Sequence, residues 1–536
     1  MVDEIRTIPP KLTKTEWNAL LDHALIVPAS YIIYKVGTEY RAKNGLTGKI
    51  DYNGTDAGTI INNAISAISA GQKISLKGAL SLNSAIIVDK GLILECYDAT
   101  LTWTGATTEN GMLTTSGIVD GFKLLGGKFL TNTKWVWSLG GPAGSYLNLK
   151  NSIIQDVTIN HTIRTTNLEN VVFRNITQLG QYGDSGFDWG INIFGKNVLV
   201  DGFYAPLETE YQGGFSINTT ADNIPDNITL RNIYVKGKFG SFIHWYIPKS
   251  DSQISIGRTL IENFHVEITG AIQWGHFAIF PFMDAEGSTG TYSGNFGQIT
   301  ARNGKIYGPS VTLVGSVNGI HVLSLCDLEV SGSNGTVHFT ADNVRIAGMR
   351  GWDATNDYLT SNMQGSLRLN NLNYYGAWNL KLLNAFLTEE ICIRDSKIDV
   401  GANTLKIESA NSGSSKINLH GNFFSVNVNV YETAGHTMVL DYEDNNKSII
   451  VAGGSPQFYK NGGESTWSGT GSQTTHVITH NLVGTPKKYW ATASSNDART
   501  GRITGVYADA TNITVYYATA PVSGTNNVTE SWYAEI

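Results

Sequence analysis

Cysteine is scarce in this chain. Three among 536 residues, Cys96, Cys326 and Cys392, lie far apart, which excludes a disulfide framework and any metal-type Cys spacing. They are expected as small buried apolar residues. Charge is scarce too, at 15% of residues, and acids outnumber bases for a net charge of −7. That balance excludes the basic stripe a nucleic-acid partner requires. No run is apolar enough to span a bilayer, so no membrane partner is expected. The opening MVDEIRTIPP has no basic start followed by an apolar run, so no signal peptide is visible. Proline is held to 12 residues while glycine reaches 58. Few charges among many small and polar residues exclude long surface helices and favour short strands with many turns.

Against these absences stands a repeat. From about Lys73, short alternating apolar strands each run into Asn, Asp or Gly: IVDGFKLLGG, IIQDVTINH, VVFRNIT, VLVDGFY, ITLRNIYVKG, LIENFHVEI and ITARNGKIYG, then VLSLCDLEV, LRLNNLNYYG, ICIRDSKID and INLHGNFFSV. The turn position recurs at Gly121, Asp156, Asn175, Gly202, Asn232, Asn263, Asn303, Asp327, Gly348, Asn371, Asp395 and Gly421. Most intervals are roughly 20 to 30 residues, a solenoid period. One coil buries too little apolar surface to stand alone, whereas coils stacked about 4.8 Å apart share a continuous core. Asn tolerates the left-handed turn such a stack repeats.

The ends differ from the middle. T-K-T-E at Thr13 to Glu16 is a capping-box pattern ahead of WNALLDHAL and predicts one short helix. TDAGTIINNAISAIS predicts a second, with Ile60, Ile61, Ala64 and Ile65 on one face. Such a helix would cover the open end of a solenoid. After about Asn446 the rhythm stops, a Gly- and Ser-rich stretch predicts a linker, and alternating short strands follow. The expected fold is all-β: a right-handed parallel β-helix over 71–445, an N-terminal helical cap segment over 1–70, a linker over 446–470 and a C-terminal β-sandwich over 471–536.

The coil pattern over roughly 70–445 resembles the pectate-lyase-like superfamily of polygalacturonases, polysaccharide lyases and viral tailspike depolymerases. The segment SYIIYKVGTEYRAKNGLTGKIDYNGTDAGTIINNAISAI is similar to the opening of β-helix proteins from archaea and their viruses. The resemblance implies a polysaccharide partner, a homotrimer, and a place outside the cell or on a virion. It transfers no catalytic set. Gly275-His276-Phe277 stands where polygalacturonases carry Gly-His-Gly, the paired-Asp motif is missing, and so are the acidic calcium cluster and arginine of pectate lyases.

The residues themselves nominate a working stretch between about 180 and 300, where the intervals lengthen and extra residues enter side loops. Aligning Gly190 with Gly214 brings Asp184, Asp188, Glu208 and Glu210 to the same side of neighbouring coils, with Asp284 following a later strand. Two carboxyl groups across a scissile bond are what glycoside hydrolysis needs, about 5 Å apart for retention and about 6.5–9.5 Å for inversion. Trp189, Trp245 and Trp274 are expected to hold sugar rings, with His244, His276 and Tyr246 as polar helpers. The stretch holds twelve acids against six bases. An acidic face repels a uronate polymer, which favours a hydrolase of a neutral or weakly charged glycan and needs no cofactor. The alternatives are a lyase using Lys236, Lys238, His244 and Tyr246, and a non-catalytic glycan-binding adhesin. A calcium ion held by Asp184, Asp188 and the nearby glutamates would reverse the charge argument.

Overall fold

A computed structural model describes residues 28–536 except 107–109, 132–135, 142–145, 180–189, 211–212, 219–223, 239–240, 247–256, 269–276, 281–294, 308–323, 334–335, 343–344, 348–355, 359–366, 372, 376–378, 382–389, 402–403, 409–412, 433–435 and 454–456. The expected helix at WNALLDHAL lies outside the described residues. Among the described residues no helix is long and apolar enough to cross a membrane. The chain divides into two compact units, Met1–Asp357 and Tyr358–Ile536.

The first unit opens with three antiparallel strands, Ala29–Val36, Glu39–Asn44 and Ile50–Gly54. The helix Ala57–Ala67 follows, as its apolar spacing predicts, burying Ile60, Ile61, Ala64 and Ile65. Asp56 is its N-cap and accepts from the Thr59 amide at 3.0 Å and the Asn83 amide at 2.7 Å, which satisfies a helix-end donor and ties the helix to the first coil.

Ala29–Val36 also pairs in parallel with Lys73–Leu82, and from there the coils stack in parallel. The main sheet runs through Ile93–Trp103, Leu147–Gln155, Ile163–Gln178, Gly195–Glu210, Asp226–Lys238, Thr259–Ile268 and Asn295–Tyr307. A second parallel sheet joins the start of Ile163–Gln178 to Ile191–Ile193, Gly213–Asn218, Ser241–Tyr246 and Phe277–Phe280. Side chains alternate across each strand. Ile176, Phe203, Ile233 and Phe264 therefore stack in one buried interior column.

The turn positions are the asparagines the repeat marks. Asp156, Asn175, Gly202, Asn232, Asn263 and Asn303 all have positive φ, between 49° and 84°, the conformation Asn and Gly tolerate best. Gly121 belongs elsewhere. It aligns with Asn151, Asn170, Asn197 and Asn227, a second left-handed column at the opposite end of the same strands. These amides form a ladder, with Asn170 donating to Asn151 at 2.9 Å, Asn197 to Asn170 at 2.9 Å and Asn227 to Asn197 at 2.7 Å. Coils repeat after 19, 27, 30 and 31 residues along these two columns.

Between the turn columns the outer face carries alternating charge: Arg174, Asp201, Arg231 and Glu262 occupy successive rungs. Arg231 meets Asp201 at 2.7 Å. Burial opposes ionisation of Asp201, but hydrogen bonds from Arg231 and Asn232 and the charges of Arg231 and Arg174 outweigh it, holding the carboxyl below its ordinary value. A depressed folded pKa contributes stability above the unfolded value and loses it as pH falls. Urea unfolding should therefore show wild type losing stability relative to Asp201→Asn only below the ordinary aspartate value of 3.8. An unchanged difference between pH 5 and the acid limit would remove the ladder's stabilising role.

The parallel stack is not continuous over 71–445 as expected. Ser324–Ser333 pairs antiparallel with Asn295–Tyr307, and Thr336–Asp342 pairs antiparallel with Ser324–Ser333. The strand SLCDLEV alternates as a coil strand does, but alternation encodes which face is buried, not which way the strand runs. Asp327 is thus a residue inside an antiparallel strand rather than a coil turn.

The second unit resumes parallel coils. Leu367–Asn370, Glu390–Arg394, Gly413–His420 and His436–Glu443 stack in one sheet. Asn373–Tyr375, Lys397–Asp399 and Phe423–Phe424 form a second. Asn379–Lys381, Leu405–Glu408, Val428–Tyr431 and Ile449–Gly453 form a third. Asn371, Asp395 and Gly421 again have positive φ. The expected linker over 446–470 is corrected: Ile449–Gly453 extends a coil sheet, Gln457–Phe458 pairs with His436–Glu443, and Lys460–Trp467 pairs antiparallel with Val528–Glu535. Its Gly and Ser residues sit on a largely exposed strand, where small polar side chains cost little. Two three-stranded antiparallel sheets complete the chain: Lys460–Trp467, Val528–Glu535 and Lys488–Ala493, then Thr475–Thr479, Asn512–Tyr517 and Ile503–Ala508. Cys96 and Cys392 are buried free thiols.

Candidate functional site

The topology of the first unit sets out the connections to which the nominated acids belong. Each strand of the main sheet leads directly into a strand of the second sheet one coil on: Ile163–Gln178 into Ile191–Ile193, Gly195–Glu210 into Gly213–Asn218, Asp226–Lys238 into Ser241–Tyr246, and Thr259–Ile268 into Phe277–Phe280. The Gly190–Gly214 alignment holds in the register, since Ile191 pairs with Phe215. Glu208 and Glu210 end one main-sheet strand, and Glu210 pairs with Lys238 on the next rung. Asp184, Asp188, Trp189, Trp274 and His276 belong by sequence to neighbouring connections of the same kind and lie outside the described residues. Asp284 also lies outside them, in the opposite connection, after Phe277–Phe280.

The second sheet gives the other nominated residues two different positions. His244 pairs with Ser216, which pairs with Asn192, which pairs with Arg164. Tyr246 pairs with Asn218. Trp245 pairs with Ile217, which pairs with Ile193, and both isoleucines are fully buried. The register thus places His244 and Tyr246 on the rung beside Ser216 and Asn218, and Trp245 on the rung beside Ile217.

The polar column is built from residues that sequence reasoning passed over. Asn192, Ser216 and Asn218 are 8%, 2% and 7% exposed, although they alternate with the core-facing Ile191, Ile193, Phe215 and Ile217. Ser216 Oγ donates to Asn218 Oδ1 at 3.1 Å, and Asn218 Nδ2 donates to the Ser216 carbonyl at 3.2 Å. Asn192 Oδ1 is buried with no hydrogen-bond partner, as are Arg164 Nε and Trp137 Nε1. The Arg164 guanidinium lies over the Trp137 ring at 4.5 Å, and Trp137 meets His161 edge-on at 6.1 Å. Buried polar groups are nearly always paired, so three orphans within neighbouring rungs mark a surface made for hydrogen-bonding ligands or water.

On the main sheet, Tyr204, Tyr234 and His265 stack in one outward column, with ring centroids 5.1 and 5.4 Å apart. Lys236 and His265 both bind Glu267, at 3.0 and 2.9 Å. The His265 and Lys236 hydrogen bonds hold the Glu267 carboxyl below its ordinary range. Lys236 is therefore engaged with a carboxylate. No cluster of three or more potential metal ligands occurs among the described residues.

No protein-family model matches this chain, and neither does any curated protein. Solved structures do. The tailspike protein gp49 from Pseudomonas phage LKA1 aligns at 9% identity and a TM-score of 0.34, over 89% of this chain and 92% of that one. A mutant tailspike protein of E. coli bacteriophage HK620, solved with a pentasaccharide, aligns at 11% identity and a TM-score of 0.41, over 89% of each chain. The surface adhesin PfbA of Streptococcus pneumoniae aligns at 11% identity and a TM-score of 0.30, over 74% of this chain and 88% of that one.

Proposed function

We propose that this chain is an endo-acting glycoside hydrolase, a depolymerase of a neutral or weakly charged polysaccharide, working at the corner between the two sheets of its first unit. The observation that carries the reading is the buried polar column with unpartnered hydrogen-bonding groups, on strands that the acid-bearing segments precede in sequence. A glycan hydroxyl both donates and accepts, so it can satisfy Asn192 Oδ1 and the two N–H orphans alike. Asp184, Asp188, Glu208 and Glu210 supply the acid and the base or nucleophile, with Asp284 in reserve. On adjacent rungs two carboxyls stand about 5 Å apart, the retaining separation; two rungs give roughly the inverting one. Trp189, Trp245 and Trp274 hold sugar rings, and His244, Tyr246 and His276 bind hydroxyls. The reading needs no resident cofactor. It carries a right-handed coil, the Ala57–Ala67 helix as N-terminal cap, a homotrimer, and a site of action outside the cell or on a virion. The Lys236–Glu267 pair counts against the lyase alternative.

Incubation with a glycan panel tests it. Reducing ends should rise without the ultraviolet absorbance of an unsaturated uronate. Glu208→Gln or Glu210→Gln should slow cleavage by about 10²–10⁴-fold if that residue is the general acid or base. An absorbance rise would make the enzyme a lyase, binding without cleavage would make the chain an adhesin, and full activity in Asp184→Asn, Asp188→Asn, Glu208→Gln and Glu210→Gln alike would move the site elsewhere.

A further inference from the structure

The geometry points to Arg164 as a specificity residue that reads a carboxylate on the glycan, an inference that rests on the proposed glycan-binding face. Arg164 lies on the polar column, one rung from Asn192 and two from Ser216. Its guanidinium carbon lies over the Trp137 ring, 4.5 Å from the ring centroid. Among the described residues it has no ion pair and no side-chain hydrogen bond, and its Nε is buried without a partner. Arg231, another arginine of the stack, shares the unpartnered Nε but has an acid on its terminal nitrogen. Arg231, on the main sheet's outer face, is bound by Asp201 at 2.7 Å. Holding a cation half-buried against an indole without an acid is costly for folding alone, and stacking fixes a planar fork in advance of its ligand. A guanidinium so prepared matches the planar, two-oxygen geometry of a carboxylate.

The chemistry sets the ligand class: a sugar bearing a carboxylate, placed about 10 Å along the column from Ser216 by two rungs. A glycan carrying such a substituent on some of its sugars is weakly charged, within the substrate class proposed above.

The test is an array of carboxylate-bearing oligosaccharides, each printed beside its carboxyl-reduced counterpart. Wild type should bind at least one acidic probe about tenfold or more tightly than its reduced form, the scale of a charge-assisted hydrogen bond. Arg164→Gln should abolish that preference, bringing the affinity for the acidic probe down to that for its reduced counterpart. Arg164→Lys, which keeps the charge but not the fork, should retain only a small part of it. Equal binding of acidic and reduced probes by wild type overturns the role of Arg164 and leaves the glycan-binding face standing. So does a preference that persists in Arg164→Gln. No binding of any probe overturns both.

Discussion

Phe203→Ala should cost about 3–5 kcal/mol of stability, the range for removing a fully buried aromatic ring. Phe203 is 1% exposed and stacks between Ile176 and Ile233 of adjacent coils. Its ring meets Phe215 edge-on at 5.0 Å, so it joins the interior of the main sheet to the floor of the second. The backbone at Gly190 closes the remaining space: a Cβ there would come within 2.6 Å of the Phe203 ring. In a solenoid each coil is stabilised chiefly by its neighbours, so the cavity weakens two interfaces at once. Tyr204, the next residue, alternates outward and is 49% exposed. Tyr204→Ala should cost less than about 1 kcal/mol. Urea unfolding of the two variants separates the readings, and equal losses would mean that strand parity here is misassigned. Because Phe215 carries the strand Gly213–Asn218, Phe203→Ala should also weaken glycan binding.

Glu530→Ala should cost about as much, roughly 3–5 kcal/mol, because it removes one partner from a buried charged network. Glu530 is fully buried among the C-terminal sheets. It accepts from Trp467 Nε1 at 3.1 Å and from the Tyr517 hydroxyl, and its other oxygen meets His476 Nδ1 at 2.7 Å. The Trp467 ring stacks on His476 at 4.8 Å. Burial, then the Glu530 hydrogen bond and charge, push the Tyr517 hydroxyl far above its usual range, so it remains a donor at any working pH. Truncation strands these donors together in the interior. Glu530→Gln keeps the shape and one acceptor and should lose less. Denaturation followed by tryptophan fluorescence measures both; a Glu530→Ala variant as stable as wild type would show the network to be decorative.

The readable parts of this fold were those with a local cause. Asn175, Asn232, Asn263 and Asn303 announce left-handed turns because few other residues accept them. Ile60, Ile61, Ala64 and Ile65 announce a helix because their spacing makes a face. The second asparagine column had a signal that went unused: Asn151 and Asp156, Asn170 and Asn175, Asn197 and Gly202, Asn227 and Asn232 each stand five apart. Strand direction at Ser324–Ser333 left no trace, since parallel and antiparallel strands share one alternation. In the candidate site, Gly190 and Gly214 mark the register in the sequence, since Ile191 pairs with Phe215. Arg164 and Trp137 were missed because their contact crosses from one coil to the next. Glu530 was missed likewise, its partners being spread from Trp467 to Tyr517.

The most direct measurement of the central claim is hydrogen exchange with and without a bound oligosaccharide. Added protection should fall on Ile191–Ile193, Gly213–Asn218 and Ser241–Tyr246, with none on Ile449–Gly453 or Val528–Glu535. Protection confined to the C-terminal sheets, with the second sheet of the first unit unchanged, would contradict the account.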